Sequence, residues 1–310
     1  MLVNLKEILK YAEIGNKAVG MFNATSFESL RAVISAAEEL NEPVIIAHAE
    51  VHNKFNDISY VGPAMIAAAK KAKVPVAVHL DHGTSKDMLY KALRVGFTSV
   101  MIDASALPYE QNVAVTKEIC DAAHAMGVGV EAEIGRIVTP EAGGEAVKTD
   151  LKPEDYYTRP EEAAKFLEAT GVDALAIAFG TAHGFYKSQP KLDFSVIEKT
   201  AKATKGLPLV MHGGSGVSEE GFRHAIKSGI RKINYYSYMS KAGYDEVAKA
   251  IAEGADSDKP HFLHDLAYRA MLAMKEDVKK AIRTFSTPEE DMVTTVIKKV
   301  IRELGLEKKN

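Results

Sequence analysis

The chain has 310 residues, of which 46% are hydrophobic and 26% charged, and its formal net charge is −3. That balance gives no basic footprint for nucleic acid and no polybasic patch for a membrane surface, and the longest apolar runs are strand length. Cys120 is the single cysteine, which excludes an internal disulfide and a cysteine-built zinc site and leaves His, Asp and Glu to hold any metal.

The first run, "MLVNLKEILKYAEIGNK", is charged throughout and lacks the uncharged core of a signal peptide, so the cytoplasm is the expected location. Eight apolar runs of strand type follow: "AVGMFN" from Ala18, then "PVIIAH", "PVAVHL", "SVMIDA", "GVGVEAEI", "DALAIAF", "LPLVMH", and "RKINYY" from Arg231. Each leads, after a short turn, into a stretch of helical periodicity such as "SFESLRAVISAAEEL" or "PYEQNVAVTKEICDAAHAMG". Cys120 falls in the second of these and reads as a buried, inert thiol. The repeat is roughly thirty residues, the size of one βα unit. Eight such units predict a closed (β/α)8 barrel of the α/β class. A doubly wound open sheet is the rival, although no phosphate fingerprint follows the first strand.

No linker or composition break divides residues 1–310, so a single barrel domain is expected. Two regions fall outside the repeat. Between the fifth strand and the next helix, "GRIVTPEAGGEAVKTDLKPEDYYTRP" is too long for an ordinary βα turn and reads as a lid or binding loop. From about Lys259 the chain reads as two further helices, "HFLHDLAYRAMLAMKEDVKKAIRTF" and "PEEDMVTTVIKKVIRELG". Residues 259–310 are therefore expected to form a C-terminal extension packed on the barrel or on a second subunit.

Ten histidines occur, and three are followed by glycine: His82-Gly83, His183-Gly184 and His212-Gly213. Each lies at or just past the C-terminal end of a predicted strand, where active sites of barrels are built. Three imidazoles with one position left open are the ligand set of a catalytic zinc. Asp81, beside His82 and on the same strand face as His79, reads either as a base for a substrate hydroxyl or as support for an imidazole. The turns after strands seven and eight supply Gly213, Gly214, Ser215 and Gly216, then Asn234 and Ser237, each turn followed by a helix start. Barrels frequently bind phosphate at these two loops, and Lys187 is a candidate countercharge. A Lewis acid, a carboxylate and a phosphate anchor together suit carbon–carbon bond cleavage in a phosphorylated carbonyl compound.

The stretches "HLDHG", "VEAEIG", "AFGTAHGFYK", "MHGGSG" and "KIN" closely resemble the class II, zinc-dependent ketose-bisphosphate aldolases, in the same order and spacing from Asn4 to about Ser240. The resemblance implies reversible cleavage of a ketose 1,6-bisphosphate, by default fructose 1,6-bisphosphate, to dihydroxyacetone phosphate and glyceraldehyde 3-phosphate. It implies His82, His183 and His212 as zinc ligands and Asp81 as the shuttle at the C4 hydroxyl. Glu141 would exchange the C3 proton. Gly184, Lys187, Gly213, Ser215, Asn234 and Ser237 would form the dihydroxyacetone-phosphate pocket, with Asn23 near the ketose. Asp103 and Glu133 match carboxylates that can hold the metal in an alternative inward position or serve the structure. A monovalent cation (Na+ or K+) beside the phosphate, and a homodimer or homotetramer, are further implications.

Departures from the family pattern cluster on the side that would hold the aldehyde fragment. Ala49 stands near a usual serine, His48 and His52 are additions, "GRIVTPE" brings Val138 and Thr139 into a loop that is usually glycine-rich, and Tyr235 and Tyr236 follow Asn234. Tagatose 1,6-bisphosphate or another ketose 1-phosphate is accordingly the alternative substrate. Outside this chemistry the rivals are a zinc hydrolase, which lacks its usual "HxH" here, and a barrel that binds a sugar phosphate without turnover.

Overall fold

All eight apolar runs become parallel strands. The computed structural model describes residues 1–135, 156–184, 190–254 and 262–286. In it β1 (Val19–Asn23), β2 (Val44–Ala49), β3 (Val76–Gly83), β4 (Ser99–Ile102), β5 (Gly129–Ile134), β6 (Ala174–Ile177), β7 (Leu209–Met211) and β8 (Ile230–Asn234) pair in sequence order. The sheet closes where β8 meets β1, with Val19 opposite Lys232 and Met21 opposite Asn234. That pairing makes a barrel and rules out an open sheet. Among the described residues, no helix is long and apolar enough to cross a membrane.

Strand alternation sorts the side chains into two layers. Outward residues such as Phe22, Ile46, Val78, Leu80, Val100 and Ile177 are buried beneath the helices α2 (Phe27–Leu40), α3 (Ile58–Lys71), α4 (Lys86–Val95), α5 (Tyr109–Ala125), α6 (Pro160–Thr170), α7 (Phe194–Ala203) and α8 (Glu219–Ser228). Cys120 lies in this layer on α5, and burial pushes its thiol up to about 12, consistent with an inert packing role. Inward residues are of two kinds. Towards the strand N-termini they are apolar and mostly small: Val19, Met21, Ile45, Ala47, Ala77, Ala174, Ala176 and Val210. Higher up they are polar, and they form the site.

The charged first run has a packing role. It forms α1 (Leu5–Gly15), capped by Asn4 and Glu7, and its buried face of Leu5, Ile8, Leu9 and Ala12 joins the small inward residues as one cluster. The helix thus plugs the N-terminal end of the barrel and leaves the other end as the mouth. Past β8, α9 (Ser237–Gly254) and α10 (Leu263–Ser286) pack on each other, and α10 also packs on α2. The carbonyl of Phe285 accepts a hydrogen bond from the Ala18 N–H at 3.0 Å, which ties the end of α10 to the start of β1. The first expected C-terminal helix is therefore a barrel-packing element. The second, and most of the expected lid loop, lie outside the described residues.

Ile8 is fully buried at the centre of the plug. Ile8→Ala should lower unfolding free energy by about 2–5 kcal/mol, read as a shifted urea midpoint at unchanged slope. A midpoint within error of the parent would mean that α1 does not seal the barrel.

Candidate functional site

At the mouth lies a cavity of about 750 Å3. Its lining includes Asn23, Asp81, His82, Asp103, His183, Gly184, Gly213, Ser215, Asn234 and Ser237. Those ten residues are all candidates from the sequence. Glu141 and Lys187 lie outside the described residues.

How β3 delivers both Asp81 and His82 is a backbone matter. Consecutive strand residues face opposite sides, so an inward Asp81 would send His82 out into the helices. The β3–β4 register shifts between Leu80 and Gly83, and His82 adopts φ +46°, in the left-handed region. This irregularity swings His82 back over the mouth. Such backbone strain in a non-glycine residue is characteristic of functional positions. Gly83 follows because a Cβ there would lie 2.7 Å from the Met101 carbonyl oxygen. Gly213 has φ +65°, and its Cβ would lie 2.3 Å from the Ala182 carbonyl oxygen, so the loops after β6 and β7 touch through glycine.

The three imidazoles converge. One ligand atom from each of His82, His183 and His212 lies within 4.8 Å of the others. His82 Nε2 and His212 Nδ1 are 2.9 Å apart, and the His183 ring centroid is 4.9 Å from that of His82 and 5.8 Å from that of His212. Two of the rings are anchored from behind. His82 Nδ1 meets Asp103 Oδ2 at 2.7 Å, and His212 Nε2 meets Glu131 Oε1 at 2.9 Å. When each ring donates its rear N–H to the carboxylate, its front nitrogen presents a lone pair to a common point. A carboxylate behind a histidine is the arrangement that orients metal ligands. Three imidazole nitrogens, two of them on rings with that support, fit a divalent cation such as zinc. His82, Asp103 and Glu133 form a second group whose ligand atoms lie equally close, on the inward side.

The local charges are strongly coupled. Burial opposes the charge on His82, but Asp81, Asp103 and Glu133 outweigh it and hold the imidazole up at about 10. Burial, with His82 and His212 beside it, drives His183 down to about 3. Glu133 is pushed up to about 8 by burial and then by Asp103. Burial also works against an ionised Asp81, yet His82, His212 and Lys232 overcome it and hold the carboxyl well below the usual range. Both oxygens of Asp81 are used: Asn23 Nδ2 donates to Oδ2 at 3.0 Å and Asn234 Nδ2 donates to Oδ1 at 3.1 Å. Asp81 is thus an ionised, fixed carboxylate beside the imidazole cluster.

Below this lies a layer whose roles the sequence reading did not assign. Lys232 Nζ is 2.9 Å from Glu131 Oε2, both side chains without exposure, and donates to Asn234 Oδ1 at 2.7 Å. Burial resists the Glu131 charge, but Lys232 and His212 hold its carboxyl down to about 2. His79 fills the same layer, its Nδ1 2.6 Å from the Ser99 hydroxyl. The available signal was period two: Glu131 and Glu133 alternate on β5, as Lys232 and Asn234 do on β8, placing charge on the inward face of apolar strands. The phosphate-loop candidates also meet: the Ser215 hydroxyl accepts from the N–H groups of Tyr236 and Ser237, capping the start of α9.

The family described as class-II fructose-bisphosphate aldolase matches this chain over residues 3–290. A fructose-bisphosphate aldolase of Staphylococcus aureus is 38% identical over 291 residues, covering 92% of this chain and 98% of that protein. The crystal structure of the YdjI aldolase from Escherichia coli K12 is similar with a TM-score of 0.79 and 35% identity, covering 94% of this chain and 99% of that one. A fructose-bisphosphate aldolase structure from Campylobacter jejuni, at 22% identity and a TM-score of 0.73, covers 92% and 95% and is alike in fold.

Removing one member of a buried ion pair strands the other charge. Lys232→Met should cost about 3–5 kcal/mol in denaturant unfolding, and adding Glu131→Gln should recover part of that loss. A loss below about 1 kcal/mol for Lys232→Met would show that the pair does not carry this layer.

Proposed function

This chain belongs to the class-II fructose-bisphosphate aldolase family, whose members are lyases, and from that membership we propose that it reversibly cleaves a ketose 1,6-bisphosphate into dihydroxyacetone phosphate and an aldehyde. Fructose 1,6-bisphosphate is the default substrate and glyceraldehyde 3-phosphate the default second product. The observation that carries the reading is the meeting of three imidazoles, two of them held by carboxylates, beside a fixed, ionised Asp81.

In this reading His82, His183 and His212 hold one Zn2+, with Asp103 and Glu133 able to take it at the inward position. Zinc so held is a Lewis acid that polarises the ketone and stabilises the negative charge left when the adjacent carbon–carbon bond breaks. The chain does the rest. Asn23 and Asn234 keep Asp81 oriented so that its carboxylate takes the C4 hydroxyl proton as the bond breaks and returns it in the condensation direction. Glu141 serves the proton at C3. Gly184, Gly213, Ser215 and Ser237 cradle the phosphate near the N-terminus of α9, where helix N–H groups favour an anion, with Lys187 as countercharge and Na+ or K+ alongside. A homodimer or homotetramer in the cytoplasm completes the proposal.

Tagatose 1,6-bisphosphate or another ketose 1-phosphate remains the second reading, favoured by the wall of Ala49, Val51, His52, Phe55 and Tyr236 on the cavity's β2 side. A coupled assay for triose phosphate, run on these ketoses with and without a chelator, tests the proposal. Activity should vanish on chelation and return with zinc. Asp81→Ala should keep its metal content and lose about 10²-fold or more in cleavage rate. An unchanged rate would remove Asp81 from the mechanism. Hydrolysis without triose phosphate, or saturable binding without turnover in the zinc-loaded protein, would replace the aldolase reading itself.

A further inference from the structure

The β2 side of the cavity has so far been given no task. Ala49 is the register partner of Asp81 on the neighbouring strand, so the helical turn Glu50–His52 starts directly beside that carboxylate. Whatever lies beyond the C4 hydroxyl of a substrate meets this turn. Most of what the turn presents cannot select a polar group. Ala49 ends in a methyl and Val51 and Phe55 are apolar, while Lys54, whose ammonium sits 4.9 Å over the ring of Phe55, is a point charge suited to an anion rather than to a neutral hydroxyl.

His52 is different. Its ring lies on Tyr236, with centroids 4.8 Å apart and planes at 49°, so a residue of the β8 loop fixes its orientation. Its Nδ1 is buried without a hydrogen-bond partner among the described residues. Burial lowers the imidazole below its ordinary 6.5, which keeps the ring neutral at pH 7, with one N–H. An orphaned buried N–H is rarer and costlier than an orphaned lone pair. The proton therefore belongs on Nε2, the nitrogen left to face the cavity, and the ring is a donor waiting for an oxygen.

We propose that His52 is a specificity-determining residue: its Nε2–H donates to the hydroxyl oxygen on the carbon next to the aldehyde carbon, the C5 hydroxyl of the intact ketose. The class of aldehyde it selects is the α-hydroxyaldehyde. The inference rests on the aldol reading above and adds a contact for the half of the substrate that reading left open. A site built to hydrogen-bond a hydroxyl discriminates strongly against the analogue that lacks it, because the donor is then left unpaired.

Condensation of dihydroxyacetone phosphate with glycolaldehyde or acetaldehyde, two acceptors that differ by that hydroxyl, is the test. The ratio of their kcat/KM values should fall by about tenfold or more in His52→Ala, and His52→Gln, which keeps a donor, should restore part of it. His52→Leu, close in volume to the ring, must show the same fall and serves if the alanine variant does not fold. An unchanged ratio, or an equal loss on both aldehydes, overturns the assignment. Deuterium exchange from solvent into dihydroxyacetone phosphate, measured on the zinc-loaded parent, needs no aldehyde and separates the two ideas. Exchange with an unchanged ratio defeats His52 alone, whereas neither exchange nor condensation in the parent defeats the aldolase reading and this inference with it.

Discussion

Lys232 and Glu131 face each other 2.9 Å apart inside the barrel, both side chains without exposure to solvent. Desolvating both is costly, and an isolated pair of this kind is often worth less than an apolar replacement. Here the pair is not isolated. Glu131 also holds the rear nitrogen of His212, and Lys232 also holds the carboxamide oxygen of Asn234, whose amide nitrogen in turn fixes Asp81. One buried contact therefore orients an imidazole just past β7 and a carboxylate on β3. A hydrophobic pair of the same volume would stabilise the barrel and leave both groups unaimed.

The division of labour along the barrel axis follows from the same economy of charge. Small apolar side chains and the face of α1 fill the N-terminal end, where nothing has to be solvated. The polar layer comes next, with Lys232, Glu131, Asn234 and Asp81 linked in one chain of contacts, and the cavity opens above it. Most supporting groups sit on strands, with Asp103 just past the end of β4, and the groups proposed to face phosphate lie on the loops that follow β6, β7 and β8. A site assembled from the ends of different strands can keep one half of its lining while the wall after β2 varies. The loops after β2 and β8 meet on that wall through the rings of His52 and Tyr236.

Much of this was legible in the chain. The thirty-residue repeat specified the barrel because strand and helix periods differ and alternate without a break, and the three His-Gly pairs marked strand ends that the closed sheet brings together. The register shift at His82 was not legible, since alternation alone points that side chain outward; only the backbone shows how adjacent Asp81 and His82 reach the same cavity. Glu131 and Lys232 were overlooked for a related reason. Their neighbours Glu133 and Asn234 drew the functional reading, whereas a fully buried charge signals its importance through burial, which a sequence does not display. The plug helix was read as a charged run because its apolar face, Leu5, Ile8, Leu9 and Ala12, repeats at helical spacing among five lysines and glutamates.

The central claim is that three imidazoles, two of them aimed by carboxylates, share one cation at the barrel mouth. Crystals of zinc-loaded protein, examined by anomalous scattering at the zinc edge, test it most directly. The account predicts one strong peak bonded to nitrogens of His82, His183 and His212 at about 2.0–2.1 Å. A peak bonded to other residues, or its absence from protein that still turns over its substrate, would contradict it.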